Sequence, residues 1–536
     1  MVLALFSIVF YLALLRSIAF WVSYVQRKQY RLDRLWLSFQ EASFWKLFWS
    51  KQRIAYAFLF VLWQLFVRLG QSGIAFDLLF IISGLFFLAD TTLAGYHLYK
   101  RKLELPVRTA KSIGLFIAAL VVNMMIARLA WLSTAYQWRF DIVLPEHALL
   151  LVIVQPLIVS AVFAIAFFPN SLLQRLSIYR ATKKRSLCPN LTVIGVTGSV
   201  GKTSVKEYLA HFLSQKFHVL KTPEHVNVDT GVAKQILAEL NPTHRYYVVE
   251  MGAYRPGEIA SICAMVKPDY GIITALGNQH LELFGSPAAL RDAKFELVQA
   301  VENPQHVFMN HESERLRLAA QQKQVEPIWY GFSAPADMVA TKPIFSESGI
   351  ECTIGTIRFQ FPGFGTARLL NALGAITVAN ALGLSFAELS ESAKTLPLLA
   401  HTNEVMSGKN GALLIDSTYN ASLESVVQAS ADLAYVSRTK KLIVFKEIIE
   451  LGAESRSVHE QCAEAFAQSQ ADLVLLPSSS KETMLGRLRA LGVPASRIHD
   501  ERALSSLVAN ANEQTVVLAL GRDTQPLLAM FKQEKV

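Results

Sequence analysis

The sequence predicts a multi-domain protein: an N-terminal α-helical transmembrane region followed by two α/β domains. Three observations carry that expectation. Of the 536 residues, 52% are hydrophobic and only 18% charged, an apolar share too high for an ordinary soluble enzyme and incompatible with a disordered or fibrous chain. The charge is split: residues 1–190 hold 21 Lys+Arg and 7 Asp+Glu, and residues 191–536 hold 31 and 35, so +14 and −4 make up the formal +10. From 191 onward, short apolar strands alternate with amphipathic stretches, the pattern of parallel strands with crossover helices. The expected boundaries are 1–175 for the membrane region, 176–190 for a basic linker, 191–400 for a central domain and 401–536 for a C-terminal domain.

Five apolar runs, at about 3–25, 54–70, 75–98, 112–133 and 147–169, are long enough or nearly so to cross roughly 30 Å of hydrocarbon. The second is the shortest and carries Arg68 near its end. The first has no basic segment before it and no small-residue cleavage site after it, so it reads as a retained helix. The stretches QRKQYRLDR, HLYKRKLELPVRTAK and LQRLSIYRATKKR are rich in Lys and Arg, whereas LGQSG and STAYQWRFDIVLPEH are poor in them. Five crossings place the three basic stretches on one face, which the positive-inside rule assigns to the cytoplasm. The N-terminus is then outside and everything after Arg185 cytoplasmic. Inside the runs, Arg128 is expected to snorkel, Asp90 to lie near the inner face and Asn123 to bond a neighbouring helix. No intramembrane charge pair is expected. The basic excess belongs to loops beside apolar helices, where it sets topology and attracts anionic lipid, and no nucleic-acid partner is expected.

The four cysteines lie far apart with no CxxC pair, so neither a zinc site nor a disulfide framework is suggested. LTVIGVTG, YYVVEMG, DYGIITALG and HVFMN read as strands of the central domain; GALLIDS, KLIVFKE, DLVLLP and TVVLALG read as a separate doubly wound domain. The strongest local signal is VIGVTGSVGKTSVKEYL, residues 193–209. A strand runs into a Gly-rich turn and then a helix, a construction that presents backbone N–H groups and a helix N-terminus to phosphates. Gly195 stands six residues before Gly201, one too many for the usual spacing, so the turn is served by Gly198, Ser199 and Gly201. Lys202 would neutralise phosphate charge, and Thr203 would offer its hydroxyl to Mg²⁺. Glu250 and His280 follow the next strands, where an open sheet places its ligands, although lone residues of this kind are more often structural. Lys294 sits on a helical pattern and by default is a surface lysine.

At these residues the sequence resembles the Mur ligase family, the ATP-dependent amide ligases of peptidoglycan assembly, and within it the D-alanyl-D-alanine-adding members. The resemblance rests on GVTGSVGKTSVKE, VVEMGAYRPGEIASICAMVKPDYGIITALGNQHLELFGS, RDAKFELV, LLNALGAITVANALGL, LIDSTYNAS and EIIELGAESRSVHE, in the family's order. It implies an α/β P-loop central domain, a Rossmann-like C-terminal domain, and ATP and Mg²⁺ as cofactors. It implies that Gly198, Ser199, Gly201, Lys202, Thr203 and Ser204 bind phosphates, and that Thr203, Glu250, His280 and Lys294 hold magnesium, the last as a carbamylated lysine. Lys202, His280 and Lys294 are the expected catalytic residues. Asn371 would contact adenine, Asp416 would lie near the ribose or phosphates, and Tyr419 and Asn420 would line the same cleft.

The departures are equally specific. A membrane region stands where such enzymes carry a soluble nucleotide-sugar-binding domain. Glu224 and His225 replace a Gly-Asn pair, His401 and Thr402 a Gly-Arg pair, Ala367 a histidine, and Lys446 and Glu447 a Gly-Asp pair. The expected activity is a membrane-anchored, cytoplasm-facing ligase joining an amino acid or a dipeptide such as D-Ala-D-Ala to a muramyl-peptide or lipid-linked precursor. A ligase making another amino-acid polymer, and an ATP-binding scaffold without turnover, are the alternatives.

Overall fold

The computed structural model describes residues 2–28, 35, 38–39, 42–68, 74–99, 105–135, 145–277, 284–419 and 421–531. It divides into two compact units, Met1–Arg175 and Leu176–Val536.

The first unit is helical: α1 (Val2–Arg27), α2 (Ala42–Phe48), α3 (Lys51–Arg68), α4 (Ile74–Tyr99), α5 (Ala110–Ala135) and α6 (Pro145–Ser186). A helix satisfies its backbone polar groups internally, which is what a long apolar sequence requires in a lipid-like environment. Among the described residues, four stretches are long and apolar enough to cross a membrane: Ile8–Arg27, Asp77–Ala94, Ala110–Leu129 and Ala148–Ala166. The second of the five expected runs, in α3, is not among them. In α3, Lys51, Arg53 and Arg68 leave only 54–67 uncharged, about 21 Å of helix against roughly 30 Å of hydrocarbon. Four crossings return a chain to the face it started from, so the parity that put the N-terminus opposite the α/β domains does not follow from these spans.

Several polar residues of this unit find partners on other helices. Asn123 and Gln155 bond each other across α5 and α6. Asp90 pairs with Arg16 and accepts a 2.9 Å bond from the Tyr56 hydroxyl, contrary to the expectation of no charge pair. Trp21, Trp63, Tyr56, Phe10 and Phe87 fill the interior around them.

The second unit contains two sheets. The first has the order β2-β3-β1-β4-β5-β6-β7-β8-β9, formed by β1 (Thr192–Thr197), β2 (Val219–Lys221), β3 (Tyr246–Glu250), β4 (Tyr270–Ile273), β5 (Val307–Asn310), β6 (Ile328–Gly331), β7 (Met338–Ser346), β8 (Gly349–Ile354) and β9 (Ile357–Phe361). Pairing is parallel from β2 through β7 and antiparallel between β7, β8 and β9. Strand β1 is central and buried on both faces, which is why TVIGVT reads as a continuous apolar run. Its register sets Val196 beside Glu250 and Thr197 beside Ile273, so the carboxyl ends of β1, β3 and β4 converge.

The second sheet has the order β10-β11-β15-β12-β13-β14, from β10 (Glu404–Ser407), β11 (Leu413–Ser417), β12 (Lys440–Phe445), β13 (Asp472–Leu475), β14 (Ile498–His499) and β15 (Thr515–Leu520). All its pairs are parallel except β10 with β11. The central and C-terminal parts meet through Asp432, whose carboxylate accepts from Thr366 N–H and Oγ1 at 2.9 and 2.7 Å. Arg438 adds a two-point ion pair with Glu347 at 2.9 Å per bond.

The basic stretch read as a linker is helical to Ser186. Lys184 Nζ donates to Leu237 O and Arg185 Nε to Val266 O, both at 2.8 Å, while Ala181 and Cys188 are buried in the core of the second unit. These residues are part of the α/β body. All four cysteines are free and buried, and burial pushes the thiols of Cys263, Cys352 and Cys462 up to about 12.

Candidate nucleotide and metal site

Strand β1 ends at Thr197, and the chain turns through residues 198–201 into the helix α7 (Lys202–Ser214). Two glycines make the turn possible. Gly198 has φ 146° and Gly201 φ 84°; a Cβ would stand 2.1 Å from Thr274 Oγ1 at the first and 2.3 Å from Asn371 Oδ1 at the second. Gly201, as the N-cap of α7, supplies no side-chain cap, so the first N–H groups of the helix remain available to an anion. The turn is tied to the loop after β4: Ser199 N–H donates to Ala275 O at 2.8 Å, and Ser199 Oγ accepts from Gly277 N–H at 2.9 Å.

Around this turn the expected residues gather. Thr203 Oγ1 donates to Glu250 Oε2 at 3.0 Å, and Asn227 Nδ2 to Glu250 Oε1 at 3.2 Å. Lys202 Nζ donates to Ser199 O at 3.3 Å; burial lowers its pKa and Glu250 partly restores it. Ser204 is buried behind the turn. Asn371, in the second turn of helix Thr366–Ala381, faces Gly201.

Lys294 is only 4% exposed, not the surface lysine that a helical position suggests by default. It rides on the helix Pro287–Ala300, whose start is set by Ser286 Oγ accepting from Ala289 N–H. Burial, then repulsion from Lys202, brings its ammonium down to about 7, against the pull of Glu258, Glu296 and Glu250. Lys294, Lys202, Ser199, Asn227, Tyr254 and Phe284 line one small cavity.

The C-terminal residues divide. The Tyr419 ring lies parallel to His225 with centroids 6.0 Å apart, and its hydroxyl is 3.3 Å from His225 Nδ1. Burial raises the Tyr419 phenol, Glu250 and Glu224 raise it further, and a hydrogen bond with Thr203 acts against them. Asp416 is fully buried and already engaged: His401 Nδ1 is 2.8 Å away, and Thr418 donates from N–H and Oγ1 at 3.1 and 2.6 Å. His401 fills the position where the resemblance implied a Gly-Arg pair, and its Nε2 meets Gln525 at 3.0 Å. His280 and Asn420 lie outside the described residues.

One residue of the site escaped the sequence reading. Lys206 is fully buried, with Nζ 3.6 Å from Glu250 and 3.2 Å from Glu207. The available signal was its place about one turn after Thr203, on the side of α7 that faces β3.

Residues 196–379 match the Mur ligase middle domain. The chain is 31% identical over 315 residues to the UDP-N-acetylmuramoyl-tripeptide–D-alanyl-D-alanine ligase of Synechocystis sp., covering 59% of this chain and 68% of that protein. The chain belongs to the Mur ligase family. The enzyme of the same name from Escherichia coli is 31% identical over 290 residues, 53% of this chain and 64% of that protein. This Mur ligase therefore spans about two thirds of the length of these relatives. MurF from Acinetobacter baumannii superposes with TM-score 0.59 at 24% identity, over 66% of this chain and 80% of that one. MurF ligase from Thermotoga maritima in complex with ADP gives 0.58 at 24% identity, over 67% and 83%. These structures share the Mur ligase fold. The matched domain holds the β1–α7 corner, Glu250, Lys294 and Asn371, while residues 1–195 lie outside it.

Proposed function

We propose that this protein is an ATP- and magnesium-dependent peptide ligase of peptidoglycan precursor synthesis, held at a membrane by its helical unit. The observation that carries the reading is the β1–α7 corner: Lys202 and the buried Lys294 line one cavity, and Thr203 is bonded to Glu250 beside it. The donor set suits the implied metal. A hydroxyl and a carboxylate oxygen 3.0 Å apart, backed by the Asn227 amide, are the hard oxygen ligands that magnesium prefers.

Bound magnesium–ATP would supply the phosphoryl group that activates a substrate carboxylate for attack by an amine. The chain's own residues do the rest. The N–H groups at the start of α7 and the Lys202 ammonium hold and neutralise phosphate oxygens. Thr203, Glu250 and Lys294 would hold the metal, with His280 as the fourth proposed ligand. Lysine carbamylation requires a neutral amine, and a pKa near 7 supplies a large neutral fraction at physiological pH. Asn371 beside Gly201 is the proposed adenine contact, and Tyr419 and Asn420 are proposed to line the same cleft. Asp416 positions His401 through the 2.8 Å contact with Nδ1, and the pair is proposed to lie near the ribose or phosphates.

The curated relatives are named for a UDP-N-acetylmuramoyl tripeptide and D-alanyl-D-alanine, and D-Ala-D-Ala is the favoured amine here. Because a helical unit precedes the matched domain, the acceptor is a nucleotide-linked or a lipid-linked muramyl peptide. The basic residues Lys183, Lys184 and Arg185 at the end of α6 support a plasma-membrane location with the α/β unit on the cytoplasmic side. The test is ATP-dependent product formation, read by mass, over a panel of carboxylate acceptors and amines. Activity with D-Ala-D-Ala that is lost in Lys202→Ala supports the reading. Nucleotide binding without product for any pair would leave an ATP-binding scaffold, and product only with other amines would identify a different polymer.

A further inference from the structure

The helical unit carries a polar pocket that the ligase reaction does not use. Between α1, α3 and α4, a partly open pocket is lined by Arg16, Gln52, Arg53, Tyr56 and Asp90, with Ser17 and Ser50 at its wall. Its polar groups come from segments far apart in the chain. Arg16 pairs with Asp90 and donates from Nη2 to Gln52 Oε1 at 3.3 Å. Among the pocket's described residues Asp90 is the sole carboxylate, and it is committed to Arg16 and Tyr56.

Arg53 is the residue left over. It is nine-tenths buried and donates from Nη1 to Leu47 O at 2.8 Å and Phe48 O at 3.1 Å, at the C-terminal end of α2. Its guanidinium carbon lies 4.8 Å from the centroid of the Trp21 ring. Carbonyls and a ring face soften a buried cation without neutralising it, and the pocket keeps a net charge of one positive. Two planar guanidinium groups with hydroxyls alongside match a small anion with several oxygens. The same helices expose Leu12, Ile54, Phe58 and Leu88, apolar surface on which hydrocarbon chains can lie.

We propose that this pocket binds the phosphate of an anionic lipid headgroup, with the acyl chains against the outer faces of α1, α3 and α4. The proposal rests on the reading that the helical unit lies in a membrane. It does not depend on the ligase chemistry. Gln52 gives the cleanest variant: Gln52→Glu keeps an acceptor for Arg16, preserves the shape and cancels the surplus positive charge.

The experiment uses the full chain in detergent with phosphatidylcholine or phosphatidic acid added, counting retained lipid by native mass spectrometry. The wild type is expected to retain one phosphatidic acid per chain with a preference of at least about tenfold over phosphatidylcholine, and Gln52→Glu to lose that preference at unchanged helix content. Arg53→Gln should lose it too where the variant folds. Equal retention of both lipids, or an unchanged preference in Gln52→Glu, would overturn the proposal and make the network a purely structural one. Binding of inorganic phosphate as tight as that of the lipid would overturn the lipid assignment. Membrane fractionation is scored separately: a membrane-bound chain without preference defeats the pocket alone, and a soluble chain defeats the membrane reading as well.

Discussion

Lys294 shows how much one buried side chain can govern. Its ammonium sits near 7 when folded and 10.5 when exposed. Across that window the unfolded chain binds more protons than the folded one, so wild-type stability should rise with pH between about 7 and 10.5. Below 7 both states are protonated and the cost of burying the charge is present in full. Lys294→Met removes that cost. In bicarbonate-free buffer the variant should be more stable than wild type by roughly 2–4 kcal/mol near pH 6, with the gap closing toward pH 10. Thermal midpoints of the full chain across that pH range check this, and a gap independent of pH would contradict it. Lys206 stands beside Glu250 in the same buried region, and its place one turn after Thr203 was the sole hint in the sequence, because burial is a property of neighbours supplied by β3.

At the scale of an element, the β1–α7 corner was legible because its causes are local. A Gly-rich turn between an apolar strand and an amphipathic helix states its backbone geometry in consecutive residues, and Gly198 and Gly201 do adopt positive φ. Gly201→Ala would strain that turn and press on Asn371. It is expected to cost about 1–2 kcal/mol of stability and to weaken ADP binding at least about tenfold. Calorimetric titration with ADP reads the binding, and wild-type affinity would remove the turn's geometry from the nucleotide site. The helix α3 shows the opposite case. Its apolar run resembles its neighbours in the sequence, and what separates it is charge at both ends, including Arg53, whose partners lie at the end of α2. The Arg16–Asp90 pair was likewise illegible, since its members are 74 residues apart and no local pattern joins them, whereas the expected bond from Asn123 to a neighbouring helix is present.

For the whole molecule, the boundary at 175/176 separates a helical unit from an α/β unit. The end of α6 is bonded into the second unit through Lys184 and Arg185, so a fragment that keeps 176–186 keeps those contacts. Residues 176–536 alone should be soluble and bind ADP within about threefold of the full chain, since binding follows from contacts made inside that unit. Aggregation of the fragment, or loss of ADP binding, would show that the α/β unit needs the helices. The two units also carry their charge differently. The basic surplus belongs to the helical half, whereas phosphate affinity in the other half is assigned to local geometry around Lys202.

The sequence by itself determined what neighbouring residues can specify: which segments are helices and strands, where the Gly-rich turn falls, the family resemblance and the two-part charge distribution. Tertiary structure decided which polar groups find partners, which lysines are buried, and that residues 176–186 belong to the α/β body. The division has a physical cause. Backbone preference and hydrophobic period are set within a few residues, while desolvation and ion pairing sum over groups that meet only when distant segments pack.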